Sequence, residues 1–170
     1  PLAEGVAVEG MRLVKEYLPR ACKDGTDIEA RGQMLVAASM GATAFQKGLG
    51  GIHAISHPVG ALYDTHHGLT NAVVMPYVLA FNRPAVEGKI GRLAAFLGIE
   101  GGFDGFLDWV LAFRRDLGIP HTLAEIGVDA ARSGEIGQHA ADDPSAGGNP
   151  IPLTPAILQK LFEDAVAGRL

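Results

Sequence analysis

The stretch "GLGGIHAISHPVGALYDTHHG", residues 48 to 68, gathers four of the chain's six histidines into fifteen positions: His53, His57, His66 and His67. It also holds five glycines and one proline, and it contains no Lys, Arg or Glu. His53 and His57 are four residues apart, so on a helix their rings stand one above the other on the same face. His67 follows ten positions later, and the intervening "YDT" is a turn able to fold it back towards that pair. Two or three neutral imidazoles converging where few charges compete is an arrangement that suits iron, zinc and related cations. Spacing alone leaves a structural role for these histidines equally open. The zinc-protease helix motif is not met, because Ala54 stands where that motif needs Glu.

The elements that must position these rings are helical by pattern. Apolar Ala3, Val6, Ala7, Met11, Val14 and Leu18 recur at helical spacing over residues 2–19, and Pro19 marks the end region. After the turn "KDGTD", Asp27 is placed to cap a second helix over 27–46. The second half of that helix, "MLVAASMGATAF", is small, apolar and nearly uncharged, which predicts burial on most sides, with Phe45 in the core. "KGLGG" then interrupts. With no strand before it, it is no dinucleotide-binding fingerprint and reads as a joint where backbones approach closely. A helix carrying His53 and His57 is expected to bend or end at Pro58. Asp64 or Thr65 is placed to cap the next one, over 66–82, with a kink at Pro76. Further helices are expected at 84–97, 103–116 and 154–167, with a weaker one near 122–141. "ADDPSAGGNPIP" (141–152) is a loop by composition, with Asp142 and Asp143 solvated. No strand alternation and no internal repeat are present, so the expected fold class is all-α, a single helical bundle.

Composition narrows the function classes. The chain has 170 residues, 48% of them hydrophobic and 19% charged, with a formal net charge of −5. That is globular composition without the basic face of a nucleic-acid binder. No apolar run approaches the ~20 residues of a membrane span, and no secretory pattern opens the chain. A single cysteine, Cys22, excludes an internal disulfide, fits a reducing, cytoplasmic compartment and shows no sign of activation. His121 and His139 sit in ordinary polar surroundings and read as structural. The chain begins with Pro1, which predicts a piece of something longer.

The segment "KGLGGIHAISHPVGALYDTHHGLTNAVVMPYVLAFN" (47–82) resembles the signature of the iron-containing (group III) alcohol dehydrogenases, close to G-x-x-H-x-x-A-H-x-x-G-x-x-x-x-x-P-H-G. His53, His57, Gly60, His67 and Gly68 fall on it at the right intervals. Ser56 stands where the family often has Ala, and His66 where Pro is frequent. "AEGVAVEGMRLVKEYLPRACKDGTDIEAR", "LGIPHTLAEIGV" and "GNPIPLTPAIL" look like the family's neighbouring regions, so the resemblance runs along the whole chain.

The resemblance implies a C-terminal, metal-binding helical domain of the dehydroquinate synthase-like fold, over residues 1–170. It implies His53 and His67 as two metal ligands, and His57 as a proton relay beside the nicotinamide. An Asp-x-x-x-His pair and the nucleotide-binding domain are expected upstream. The implied reaction interconverts alcohols with aldehydes or ketones, using a divalent metal (Fe2+ first, Zn2+ second) and NAD(P). The 170 residues alone are expected to be inactive and to bind metal weakly. The small-residue helix 34–46 is expected to wall the site, and an apolar face left bare predicts association into a homo-oligomer, a dimer in the simplest form. Two rival readings are a maleylacetate reductase-like enzyme, whose relatives tend to lack the full histidine set, and a non-catalytic helical module that binds metal or a partner protein. Neither a nucleic-acid nor a membrane partner is expected.

Overall fold

The computed structural model describes residues 1–170 and is all-α: seven helices and three short 3-10 segments, with no strand. It divides into two compact units, Pro1–Gly48 and Leu49–Leu170.

The first unit is a helical hairpin of α1 (Leu2–Lys23) and α2 (Ile28–Ala44), closed by a 3-10 turn, Phe45–Lys47. Asp27 caps α2 as its position predicts, its side chain accepting from the Ala30 N–H at 2.9 Å. Across the connecting turn, Arg20 donates to Asp27 and Glu29. The helices meet where Gly10 has no side chain, since a Cβ there would come within 3.3 Å of the Met40 Cβ. The buried positions of α1 are Gly10 and Leu13, so the face that packs is rotated from the one the larger apolar residues suggest. Two expectations fail here. α1 runs four residues past Pro19, whose missing N–H falls on an exposed turn where the Lys15 carbonyl can turn to water. In α2 only Ala30 and Ala37 are buried, while Leu35 is 74% exposed and Phe45 50%. Low charge did not mean burial there, because a two-helix hairpin can cover only one face of each helix.

The second unit carries α3 (Gly51–Tyr63), α4 (His67–Phe96), α5 (Gly102–Asp116), α6 (Ser133–Asp142) and α7 (Pro155–Ala167). One core joins α3, α4, α6 and α7, built from Ile55 and Val59, Val73, Val74 and Tyr77, Ile136, and Leu158 and Phe162. Leu123 and Val128, flanking the 3-10 turn Ala124–Ile126, close it. α5 packs along α4.

Prolines do less damage here than their sequence positions suggest. Pro58 lies inside α3 and is buried, and the helix continues to Tyr63. α4 is one 30-residue helix passing through Pro76 and Pro84, where two helices were expected. Each ring removes one backbone bond, and the tertiary packing of the remaining turns outweighs that loss. The expected helix near 122–141 shortens to α6, because Gly127, with φ 84°, turns the chain in a way a helix cannot. The 141–152 loop contains a 3-10 turn, Pro144–Gly148.

α6 and α7 approach closely at Gly137, where a Cβ would lie 2.6 Å from the Pro155 carbonyl oxygen, whereas nothing lies within 4 Å of a Cβ at Gly134. Gly137→Ala should therefore destabilise by about 1–3 kcal/mol through overpacking. Gly134→Ala, in the same helix, should be neutral or stabilising by up to about 1 kcal/mol. Urea midpoints of the two variants check this; equal effects would contradict the packing described.

Candidate metal centre

α3 starts at Gly51 because Gly50 is extended and the Gly51 N–H, unsatisfied within the helix, donates to Asn149 Oδ1 at 3.1 Å. Asn149 also forms a reciprocal amide pair with Asn82 of α4, at 2.9 and 2.8 Å, and donates to the Ile151 carbonyl at 2.7 Å. Glycines make room around it. A Cβ on Gly51 would press on Val78 and Leu153, and one on Gly148 would lie 1.9 Å from the Leu49 carbonyl oxygen. The glycine-rich joint thus lets the 144–149 turn dock on the head of α3.

α3 ends on Asp64, the one non-glycine residue with positive φ (52°), after which the chain reverses. Asp64 and Thr65 were the expected caps of α4. His66 takes that place, its Nδ1 accepting from the Leu69 N–H at 3.3 Å, while Thr65 bonds the buried Thr70 hydroxyl at 2.8 Å. Asp64 is free for the left-handed turn because an Asp tolerates that conformation better than most side chains.

This short reversal sets the three rings of His53, His57 and His67 together. The centroids of His53 and His67 are 5.3 Å apart, those of His53 and His57 5.8 Å, and those of His57 and His67 5.4 Å with the rings nearly parallel. His66 points out to solvent and does not join them.

One turn along α4, Asn71 Nδ2 lies 3.0 Å from His67 Nε2 and 3.3 Å from His53 Nε2. With its NH2 on this side, Asn71 faces both Nε2 atoms at a common point, and donation to them requires their unprotonated form. A shared cation asks the same of them. The other end of the amide, Asn71 Oδ1, is buried without a partner, so this polar corner is not completed by the chain's own groups. Burial, with the neighbouring His67 and His57, lowers the His53 pKa despite the opposing charge of Asp143, which keeps the ring neutral and able to ligate. No group of three or more His, Cys, Asp or Glu side chains is placed to hold an ion by itself. The donor chemistry of the two neutral imidazoles suits a metal, but two ligands are fewer than a metal site needs.

His57 is 41% exposed, and its Nδ1 lies 2.8 Å from Asp143 Oδ2. Asp143 was expected to be solvated. Its side chain is only 15% exposed, because the 3-10 turn it caps folds it onto α3. Asp142 is exposed and accepts from Gln138. Asp143 and Asn149 were missed by sequence reasoning. The Asp-Pro step at 143–144 signals a capped turn, but nothing local shows that this turn reaches a histidine 86 positions away.

Comparison with known proteins places this geometry. A model of the Fe-containing alcohol dehydrogenase family, C-terminal part, matches residues 1–166. The chain belongs to the iron-containing alcohol dehydrogenase family and corresponds to its C-terminal region. It is 33% identical to an NAD-dependent methanol dehydrogenase of Bacillus methanolicus over 98% of this chain and 46% of that protein. The solved structure of a 1,3-propanediol oxidoreductase superposes with TM-score 0.92 at 29% identity, covering 97% of this chain and 45% of that one. Maleylacetate reductase from Rhizobium sp. strain MTP-10005 superposes with TM-score 0.81 at 29% identity, covering 99% of this chain and 46% of that one. The chain spans about half the length of the curated relatives it matches.

The clamp at the head of α3 has a measurable consequence. Asn149→Ala leaves the Asn82 amide and the Gly51 N–H unpaired and should cost about 2 kcal/mol or more. Hydrogen exchange should rise first in residues 143–148 and the opening turn of α3. Unchanged exchange there would show that the turn docks without the asparagine.

Proposed function

We propose that this chain is the metal-binding, C-terminal part of an NAD(P)-linked alcohol dehydrogenase that interconverts alcohols with aldehydes or ketones. The observation that carries the proposal is the turning of His53 and His67 Nε2 to one point, within a chain of this family. His53 and His67 hold a divalent cation, with Fe2+ preferred and Zn2+ a second candidate. The remaining ligands, an Asp-x-x-x-His pair, and the nucleotide-binding domain belong to the longer protein. Bound there, the cation supplies Lewis acidity, and the nicotinamide supplies hydride exchange.

The chain's own residues do the rest. In the unloaded chain the Asn71 amide occupies the Nε2 lone pairs of His53 and His67, the same lone pairs the cation would take, so it would give way on loading. His57, exposed and stacked on His67, carries the alcohol proton between the reacting oxygen and solvent on its Nε2. Substrates are small alcohols and aldehydes. We place the protein in the cytoplasm as a homo-oligomer, most simply a dimer. The free, exposed Cys22 supports a reducing compartment, and no helix is long and apolar enough to cross a membrane.

The maleylacetate reductase fold is shared. The presence of His53, His57 and His67 together favours the metal-dependent branch, to which the resemblance assigns the full histidine set. The family match over nearly the whole chain favours an oxidoreductase over a non-catalytic helical module.

Metal titration tests the site. The longer protein should bind Fe2+ or Zn2+ tightly, the 170-residue chain far more weakly, and His53→Ala or His67→Ala in the longer protein should remove binding together with NAD(P)-linked oxidation of short alcohols. His57→Gln should keep the metal and lose about 10²–10⁴-fold in kcat. Tight stoichiometric binding by the 170-residue chain, or metal retained by both alanine variants, would contradict the assignment.

A further inference from the structure

We propose that Asp143 is a positioning residue for His57: its carboxylate accepts a hydrogen bond from the Nδ1–H, locks the imidazole in that tautomer and leaves Nε2 as the bare ring nitrogen. The proposal rests on the assignment of His57 as the proton carrier.

A carboxylate at neutral pH only accepts, so at 2.8 Å from Oδ2 the Nδ1 of His57 is the donor. The tautomer then follows, since a neutral imidazole carries one N–H. The other oxygen, Oδ1, accepts from the Ser145 N–H at 2.8 Å and caps the 3-10 turn. The cap from the Ser145 N–H engages Oδ1, and Oδ2 is the oxygen that meets His57. No Lys or Arg pairs with Asp143, and His57 is its sole ionic partner. Burial alone raises the Asp143 pKa, but hydrogen bonds from His57 and Ser145 outweigh it and hold the carboxyl below its ordinary value.

The carboxylate is also held in place. The turn that carries it is docked on α3 through Asn149, and Gly148 presses against Leu49. His53, His57 and His67 would then all carry unprotonated Nε2 atoms, two facing Asn71 and the third set by Asp143.

Long-range 1H–15N correlation of the metal-free protein, labelled in its imidazoles and held at a pH of about 8, above the ordinary histidine pKa of about 6.5, reads the tautomer directly. His57 should carry its proton on Nδ1. Asp143→Asn keeps an oxygen to cap the turn, but its amide can donate as well as accept, so His57 should become a mixture of tautomers while helix content is unchanged. In the metal-loaded longer protein the same variant should lower kcat by about 10–100-fold, with metal content unchanged and KM altered by less than about 3-fold. A wild-type His57 protonated at Nε2 would overturn the proposal, and that measurement requires no variant to fold. An Asp143→Asn protein whose His57 tautomer or kcat is unchanged would overturn it too. If the metal does not bind at His53 and His67, the titrations above fail while the tautomer result stands, so the two failures are separable.

Discussion

Two imidazoles on different helices, 14 positions apart in the chain, must turn the same ring nitrogen to one point. The other features of the second unit can be ordered by how they serve that constraint. The reversal between α3 and α4 is short enough to leave His53 and His67 on facing turns. It is short because Asp64 takes a left-handed conformation and His66 caps the next helix at once. The faces of α3 and α4 behind the rings are mostly apolar, with Ile55, Val59, Val73 and Val74 all 0% exposed. A buried interface of that kind resists sliding, since side chains in a close-packed core have few alternative arrangements. The rings therefore stand on well-packed helices, and Asn71, one turn along α4 from His67, meets both of them in the unloaded site.

Behind this hairpin sits a second, polar layer. Asn149 satisfies the head of α3 and bonds Asn82 on α4, so one side chain ties a loop to both helices that carry the histidines. Asp143 rides on the same loop and reaches His57. The loop looks unstructured in composition, yet its polar groups are spent on the site. Arg114 offers a contrast. It is buried, donates to the Pro120 carbonyl, and has its Nε and Nη1 without partners. Burial lowers its pKa, as desolvation of a charge must. It serves the 117–121 corner, away from the three histidines.

The convergence of the three rings was legible because its signal is local. An i, i+4 pair and a third histidine just past a turn are spacings that helix geometry converts into a shared face, and those residues also carry the family resemblance. The all-α class was legible from the same periodicity. What was not legible depends on partners far along the chain. The reach of Asp143 to His57 and the pairing of Asn82 with Asn149 span 86 and 67 positions, and no pattern within either segment records them. The prolines misled for a related reason: a local rule ends helices at Pro19, Pro58 and Pro84, while water at the exposed Pro19 turn and the packing of the turns around Pro58 and Pro84 carry each helix through. In α2, apolar composition suggested burial that a two-helix hairpin could not provide.

Anomalous diffraction at the absorption edge of the bound metal, from crystals of the metal-loaded protein, tests the central claim most directly. The account predicts a single peak lying about 2.1 Å from the Nε2 atoms of both His53 and His67, with His57 beside it and not bonded to it. A peak that touches only one of the two rings, or that lies elsewhere in a folded protein, would contradict it.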